Sequence, residues 1–288
     1  HFFYPMNSSV VLMSAGKEEA PKTLGRLRSI SSFAALVGTV VVWLFVEGVE
    51  FGPVNIPAWG YRTVLYVVGG VVAVGSLFTL RHGGGRGGQR QKRKVVFRRR
   101  YWLYYSLTFM MGCRRHIFTT FAIFLLVQVY GINVRQTAML FLVNNAIGTY
   151  ASTQLGKVVA RYGERKVLTA NFVGLTFVFL GYAFVLYVPV LFALFILDHV
   201  FFGFNLAVDS YFQKIARGPE EITSNVSMAQ TINHSSALVV PIVGGILWAQ
   251  ISPAATFLAG VAIVLISLGL VQFMPRQYAP AVVPVPVD

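Results

Sequence analysis

Phe109–Leu126 reads FMMGCRRHIFTTFAIFLL. Most of it is as apolar as a lipid tail, and it lies inside a longer apolar run over residues 102–129. A helix crossing the hydrocarbon core needs about 20 such residues, so the run qualifies as a membrane span unless Arg114, Arg115 and His116 forbid it. They stand near its centre, where a charge costs about 2.5–3.5 kcal/mol on insertion scales. Snorkelling to an interface works from helix ends, and about twelve residues in either direction is too far. Either the helix is not in a membrane, or these groups face protein, water or a ligand within it.

The rest of the chain argues for the membrane. Hydrophobic residues make up 56% and aromatic residues 14%, against only 12% charged, with a mean hydropathy of +0.65. A soluble domain carries about twice that charged fraction. Seven further apolar spans read at 29–46, 61–80, 136–156, 167–187, 190–213, 224–249 and 254–274. The expected fold is therefore all-α, a polytopic membrane helix bundle with about eight complete transmembrane helices. The opening HFFYPMNSSVVLM is too short to span, lacks the basic start and cleavage site of a signal peptide, and reads as the end of another helix. A single cysteine, Cys113, excludes a disulfide framework.

Assigning alternate loops to opposite sides places twenty of the 24 Lys and Arg residues on one side, nine of them between Arg81 and Arg100. Arg62 and Arg135 fall opposite, and the other two are Arg114 and Arg115. This is the asymmetry of the positive-inside rule, and it makes the basic side cytoplasmic. The segment RHGGGRGGQRQKRKVVFRRR (81–100) has no aromatic platform between its charges before Phe97. It reads as a cytoplasmic linker near anionic headgroups rather than a nucleic-acid binder.

Sliding the sequence by 202 positions aligns GKEEAPKTLGRLRSISSFAALVGTVV from Gly16 with GPEEITSNVSMAQTINHSSALVVPIV from Gly218. Gly16, Glu18, Glu19, Ile30, Ala35, Leu36, Val37 and Val41 are identical to their partners. Each copy opens a helix with two glutamates, which complement the positive end of the helix dipole, and both run the same way. Such a parallel repeat relates the halves of some transporters about the membrane normal. It divides the chain into residues 1–80, the remainder of an N-terminal bundle; the linker 81–100; a six-helix bundle at 101–276; and a cytoplasmic tail at 277–288. By the same spacing the first unit would begin about 100 residues before His1, giving twelve helices, six plus six.

Between the spans 136–156 and 167–187 lies GKVVARYGERKVL (156–168). Gly156 allows close helix approach, Gly163 permits a left-handed turn, and Arg161, Arg165 and Lys166 stay on the basic side. The spacing Gly, three residues, acid, Arg, any residue, Gly, basic cluster resembles the signature loop of the major facilitator superfamily. Gly156, Arg161, Gly163, Arg165 and Lys166 match, whereas Ala160 stands where that family has aspartate. The resemblance covers residues 1 to about 275, as the end of helix 4 through helix 12. It implies a monomeric secondary transporter in a bacterial or archaeal inner (plasma) membrane, with this loop gating the conformational change. Ala160 removes the acid from that arrangement in this copy. The helix at 29–46 also lacks the Gly-Pro pattern of drug antiporters, which argues weakly against proton-coupled drug export.

Other polar residues recur at the depth of the arginines. Asp198, Asn205 and Asp209, separated by seven and four residues, fall on one face of the helix at 190–213. Gln230, Asn233 and His234 share a face of 224–249, and Asn145, Gly148, Thr149 and Ser152 a stripe of 136–156. Three roles compete. One is a structural ion pair such as Arg with Asp198. The second is a substrate site for a small polar or anionic solute, built from Arg114, Arg115, His116, Asn145, Asn205, Asn233 and His234. The third is a proton relay through Asp198 and Asp209, with His116 or His234 assisting. The substrate site is the reading carried forward. No HExxH, nucleophile elbow or phosphate loop appears, so no enzyme, cofactor or metal is expected. The partners are the lipid bilayer and the solute, not nucleic acid. The alternative is a non-transporting scaffold or sensor built on a transporter fold.

Overall fold

The computed structural model describes residue 15 and residues 19–46, 49–51, 54–56, 59–82 and 98–275. The opening apolar piece, Gly16 and Glu18 of the repeat, most of the linker and the tail 277–288 lie outside them. The described helices are α1 (Ala20–Val46), α2 (Gly60–His82), α3 (from Trp102), α4 (Val134–Tyr162), α5 (Glu164–Phe184), α6 (Val188–Phe202), α7 (Asn205–Ile215), α8 (Pro219–Gln250) and α9 (Pro253–Val271). Between α1 and α2 stands a small antiparallel hairpin, β1 (Val49–Phe51) with β2 (Val54–Ile56), pairing Glu50 with Asn55. The apolar runs alone leave a loop there, although Val and Phe flanking Glu50, and Val and Ile flanking Asn55, give the two-residue alternation of strands.

Local chemistry sets the helix ends. Asn133 and Gln136 cap the start of α4 reciprocally, each side chain bonded to the other's backbone N–H. Ser252 accepts from the Ala255 N–H at the start of α9, and α6, α8 and α9 each have proline in the first turn, where its missing N–H costs nothing. Gly163 separates α4 from α5 with φ 82° and ψ 156°, a region that side chains with a Cβ avoid. That one residue makes the turn tight enough to place α5 at Glu164, three residues earlier than the apolar run suggests.

Two helices are interrupted. α3 is α-helical to His116 and then π-helical over Ile117–Ala122 and Leu125–Val129. The span 190–213 is broken by a turn at Gly203–Phe204 into α6 and α7. Among the described residues, six segments are long and apolar enough to cross a membrane, α6 and α7 counting as one. α4 falls short because Asn144, Asn145, Thr149, Ser152 and Gln154 lower its hydropathy, and the apolar part of α2 is the shorter Leu65–Phe78.

Contacts fix the directions. Tyr101 meets Glu221, Tyr105 meets Asn225, and Phe121 stacks near Trp248, so α3 and α8 run parallel. Arg114 meets Asp198 while Tyr104 stacks on Phe212, so α3 and α6–α7 are antiparallel. Phe141 and Leu155 on α4 meet Phe195 and Gly203 in increasing order, making α4 parallel to α6. α1 runs against α4, with Gly25 beside Gly156 and Ser32 near Gly148. The repeat-related helices α1 and α8 thus cross in the same direction.

Lipid tails are as apolar as leucine, so close packing and polar ties must hold such helices together. The α1–α4 seam shows both. A Cβ on Gly25 would stand 2.6 Å from the Ser152 carbonyl oxygen, and Ser29 donates to the Thr149 carbonyl. The interior of α3, α5, α7 and α9 is filled by Tyr104, Phe172, Phe179, Phe212 and Phe257, all essentially inaccessible.

Candidate functional site

Arg114 is 1% exposed and its Nη2 lies 2.6 Å from Asp198 Oδ1, itself 0% exposed; the same nitrogen approaches the Asp198 carbonyl at 3.3 Å. The opening charge is therefore matched inside protein. The pairing is incomplete, because Nε and Nη1 of Arg114 and Oδ2 of Asp198 have no hydrogen-bond partner among the described residues. Arg115, one residue on and half-buried, points elsewhere. Its guanidinium lies 5.2 Å from the Phe202 ring centroid, and that of Arg114 lies 5.7 Å from the same ring. Phe202 thus stands between two cations that helical geometry directs about 100° apart.

A second pair ties α1 to the break between α6 and α7. Arg28 donates from Nη1 to the Gly203 carbonyl at 3.1 Å and from Nη2 to Asp209 Oδ2 at 3.2 Å. At the turn Gly203–Phe204 that carbonyl also accepts from the Leu206 N–H at 3.4 Å. Arg115 lies close enough to Arg28 to act on its charge. In the sequence Arg28 stands with the loop charges, and nothing there marks it as reaching into the bundle.

The other expected site residues divide. His116 sits beside Asn233 of α8, with its Nε2 buried and without a partner among the described residues. Asn233 and Asn145 are half-buried, their carbonyls accepting from Ser236 and Thr149 within their own helices. His234 is exposed and bonds Gln230 at 3.1 Å. Asn205 opens α7 with a buried Oδ1 that none of the described residues bonds. The single face expected for Asp198, Asn205 and Asp209 is not what the structure has. The break at Gly203–Phe204 interrupts the helix, and the two carboxylates take arginines from different helices, α3 and α1. His199 carries no sequence signal of its own, yet its Nε2 and Ser32 Oγ both lie where a side chain on Gly148 would go.

In the loop, Gly156 abuts Gly25 and Pro21. Exposed Arg161 lies over the Tyr162 ring at 5.3 Å. Arg165 bonds the Met274 carbonyl at 3.0 Å and Gln272 Oε1 at 3.2 Å, and Lys166 is exposed. Ala160 is exposed too, and the loop's carboxylate lies four residues on. Glu164, 2% exposed, accepts from Ser210 Oγ and pairs with Lys214 Nζ, each at 2.7 Å. The family spacing does not point to Glu164, because the acid is displaced from the expected position.

The sequence profile described as Major Facilitator Superfamily matches residues 1–240. The chain belongs to that superfamily. No curated protein matches it. As a superfamily member it is a multi-pass integral membrane protein of the secondary transporter class. The match takes in α1 to most of α8, and so includes both arginine–aspartate pairs, the broken helix and the loop.

Proposed function

We propose that this transporter moves a small polar or anionic solute by alternating access, its basic side facing the cytoplasm of a bacterial or archaeal cell and one chain forming the working unit. Residues 101–276 form one bundle and α1 and α2 belong to the other, joined by the linker 81–100. The observation that carries the reading is the cluster of Arg28, Arg115 and Phe202 where α1 meets the broken helix. Arg114 is paired with Asp198, and Arg115 is half-buried beside an aromatic face and a second cation. That combination suits an anionic group with an apolar or planar body. His116 and Asn233, one residue and one helix away, supply further polar contacts.

The same depth is where both interruptions fall. π-helical turns follow Arg114–His116 directly, and α6 ends just after Asp198. Such departures from the α-helical ladder concentrate at functional sites, and broken membrane helices are where transporters bind and bend. The ties across the seam are Arg28 with Asp209 and Gly203, Ser29 with Thr149, and Gln213 Nε2 with the Ala15 carbonyl at 2.8 Å. All lie from mid-membrane toward the basic end, so they describe a form closed on that side. A proton on Asp209 would remove its attraction for Arg28, which gives coupling a place to act, while buried Asp198 fixes the helix that carries the site.

Uptake into proteoliposomes, measured with a panel of small carboxylates, phosphate esters and neutral polar solutes, tests the reading. Arg115→Gln should lower uptake of the responsive anion by about tenfold or more, the scale of a lost charged hydrogen bond, with thermal stability unchanged. Normal uptake by Arg115→Gln would remove Arg115 from the site. A protein that moves no member of the panel but still binds one would favour the sensor reading.

A further inference from the structure

Away from the arginine cluster, a cavity of about 900 Å³ opens at the basic end, between the first turns of α5, the end of α7 and the residues after α9. Its charged lining residues are Arg165, Lys166, Lys214 and Glu164. Glu164 is the one acid among the described lining residues, and its carboxylate is taken by Lys214 and Ser210. Arg165 is held in place by the Met274 carbonyl and Gln272, and Gln272 Nε2 bonds Thr169 Oγ1 at 3.2 Å, so the wall is ordered by side-chain bonds. The pocket keeps a net positive charge at the depth where membrane helices meet the headgroup layer.

A second feature says what the occupant looks like. Lys166, Ala170, Val173, Phe177 and Phe184 follow one face of α5 at helical spacing, and all are exposed; Phe177 is 68% and Phe184 66% accessible. The charged pocket therefore continues into an apolar track running toward the membrane interior. A soluble anion would use the pocket and leave the track bare. We infer that the pocket holds the phosphate of an anionic phospholipid, with an acyl chain lying along Ala170, Val173 and Phe177. Basic pockets between membrane helices on the cytoplasmic side suit such headgroups, and Arg165 keeps N–H donors for phosphate beyond the two bonded to Met274 and Gln272. On this reading the loop that resembles the family's gate reports lipid composition at the ends of α5, α7 and α9, independently of whichever solute the transporter carries.

The test uses the purified full-length protein in detergent, titrated with dioleoylphosphatidylglycerol, dioleoylphosphatidylcholine or inorganic phosphate. Native mass spectrometry reads bound lipid, and thermal unfolding reads its effect. Phosphatidylglycerol should bind in preference to phosphatidylcholine and raise the melting temperature, while phosphate alone does neither. Lys166→Gln, at an exposed position of the pocket wall, should weaken phosphatidylglycerol binding about fivefold. Arg165→Gln should act in the same direction, and Lys157→Gln, an exposed basic residue outside the pocket, should not. Equal binding of the two lipids, undiminished binding by the Lys166 and Arg165 variants, or equal loss in Lys157→Gln would overturn the assignment. Displacement of the lipid by inorganic phosphate at matched concentration would reassign the pocket to a soluble anion.

Discussion

Two arginine–aspartate pairs stand within a few turns of each other and are built differently. Arg114–Asp198 joins α3 to α6 with both side chains essentially inaccessible, 1% and 0%. Arg28–Asp209 joins α1 to α7 with side chains 30% and 26% exposed, and has a longer contact, 3.2 Å against 2.6 Å. The first lies within a set of helices that pack closely on one another. The second lies on the seam where α1 meets them, beside the turn that splits α6 from α7. A fully desolvated pair is costly to separate, because each partner would be left charged in a low dielectric. A pair that keeps somewhat more than a quarter of its side-chain surface exposed has water as an alternative partner and separates at less cost than a fully buried one. On the proposed reading, the buried pair holds one body together and the less buried pair is a contact between bodies that comes and goes.

The largest effect should follow from breaking the buried pair. Arg114→Gln leaves Asp198 uncompensated at mid-membrane and should destabilise the folded protein by about 3–5 kcal/mol, read as lower expression and a lower melting temperature. Adding Asp198→Asn should recover a good part of that loss, since removing both charges costs less than orphaning one. If Arg114→Gln instead left stability intact and abolished transport alone, Arg114 would belong to the substrate site and the comparison would collapse.

A smaller effect should come from the seam itself. A Cβ on Gly156 would stand 2.5 Å from the Pro21 carbonyl and 3.2 Å from the Cα atoms of Gly25 and Lys22, all backbone that cannot swing aside. Gly156→Leu must push α1 off α4. Overpacking of this kind costs about 1–3 kcal/mol, here charged against the closed form. In a Cys113→Ala, Ser29→Cys background the thiol introduced at position 29 reports on the seam. A polar maleimide added from the basic side should label that thiol several-fold faster once Gly156→Leu is added. Unchanged labelling would mean that the seam does not separate there.

Much of this was open to inspection in the sequence. Apolar run lengths, the charge asymmetry and the loop spacing led to a membrane bundle and to the superfamily. They depend on chemistry that repeats along the chain, and Gly156 and Gly163 could be read because close approach and positive φ single out glycine. The pairings were harder. The sequence leaves three roles open for Arg114, and only tertiary packing brings its side chain to 2.6 Å from Asp198. Asp198 and Asp209 share a face only if the helix is unbroken across Gly203, and a single glycine in an apolar run does not announce a turn. Arg28 groups with loop charges because its reach across the seam depends on α1 lying against α7. Glu164 is hidden by the expectation of a carboxylate at Ala160.

The exposed pair gives the smallest effect on stability and the most informative one on mechanism. Arg28→Gln or Asp209→Asn removes a partly hydrated contact, so the loss of stability should be about 1 kcal/mol, well below that of the buried pair. A small free energy still matters when two conformations are nearly balanced, because 1 kcal/mol is about a fivefold change in their ratio. Labelling of the position-29 thiol from the basic side should therefore rise about two- to fivefold in either variant. The exchange Arg28→Asp with Asp209→Arg should return it part of the way, restoring the ion pair but not the bond from Arg28 to the Gly203 carbonyl. Asp209→Asn should also flatten the pH dependence of labelling, since asparagine cannot take the proton that would release Arg28. Labelling that keeps its pH dependence in Asp209→Asn would move the coupling step to another group. Labelling that ignores all three changes would make this pair, like the buried one, a fixed part of the packing.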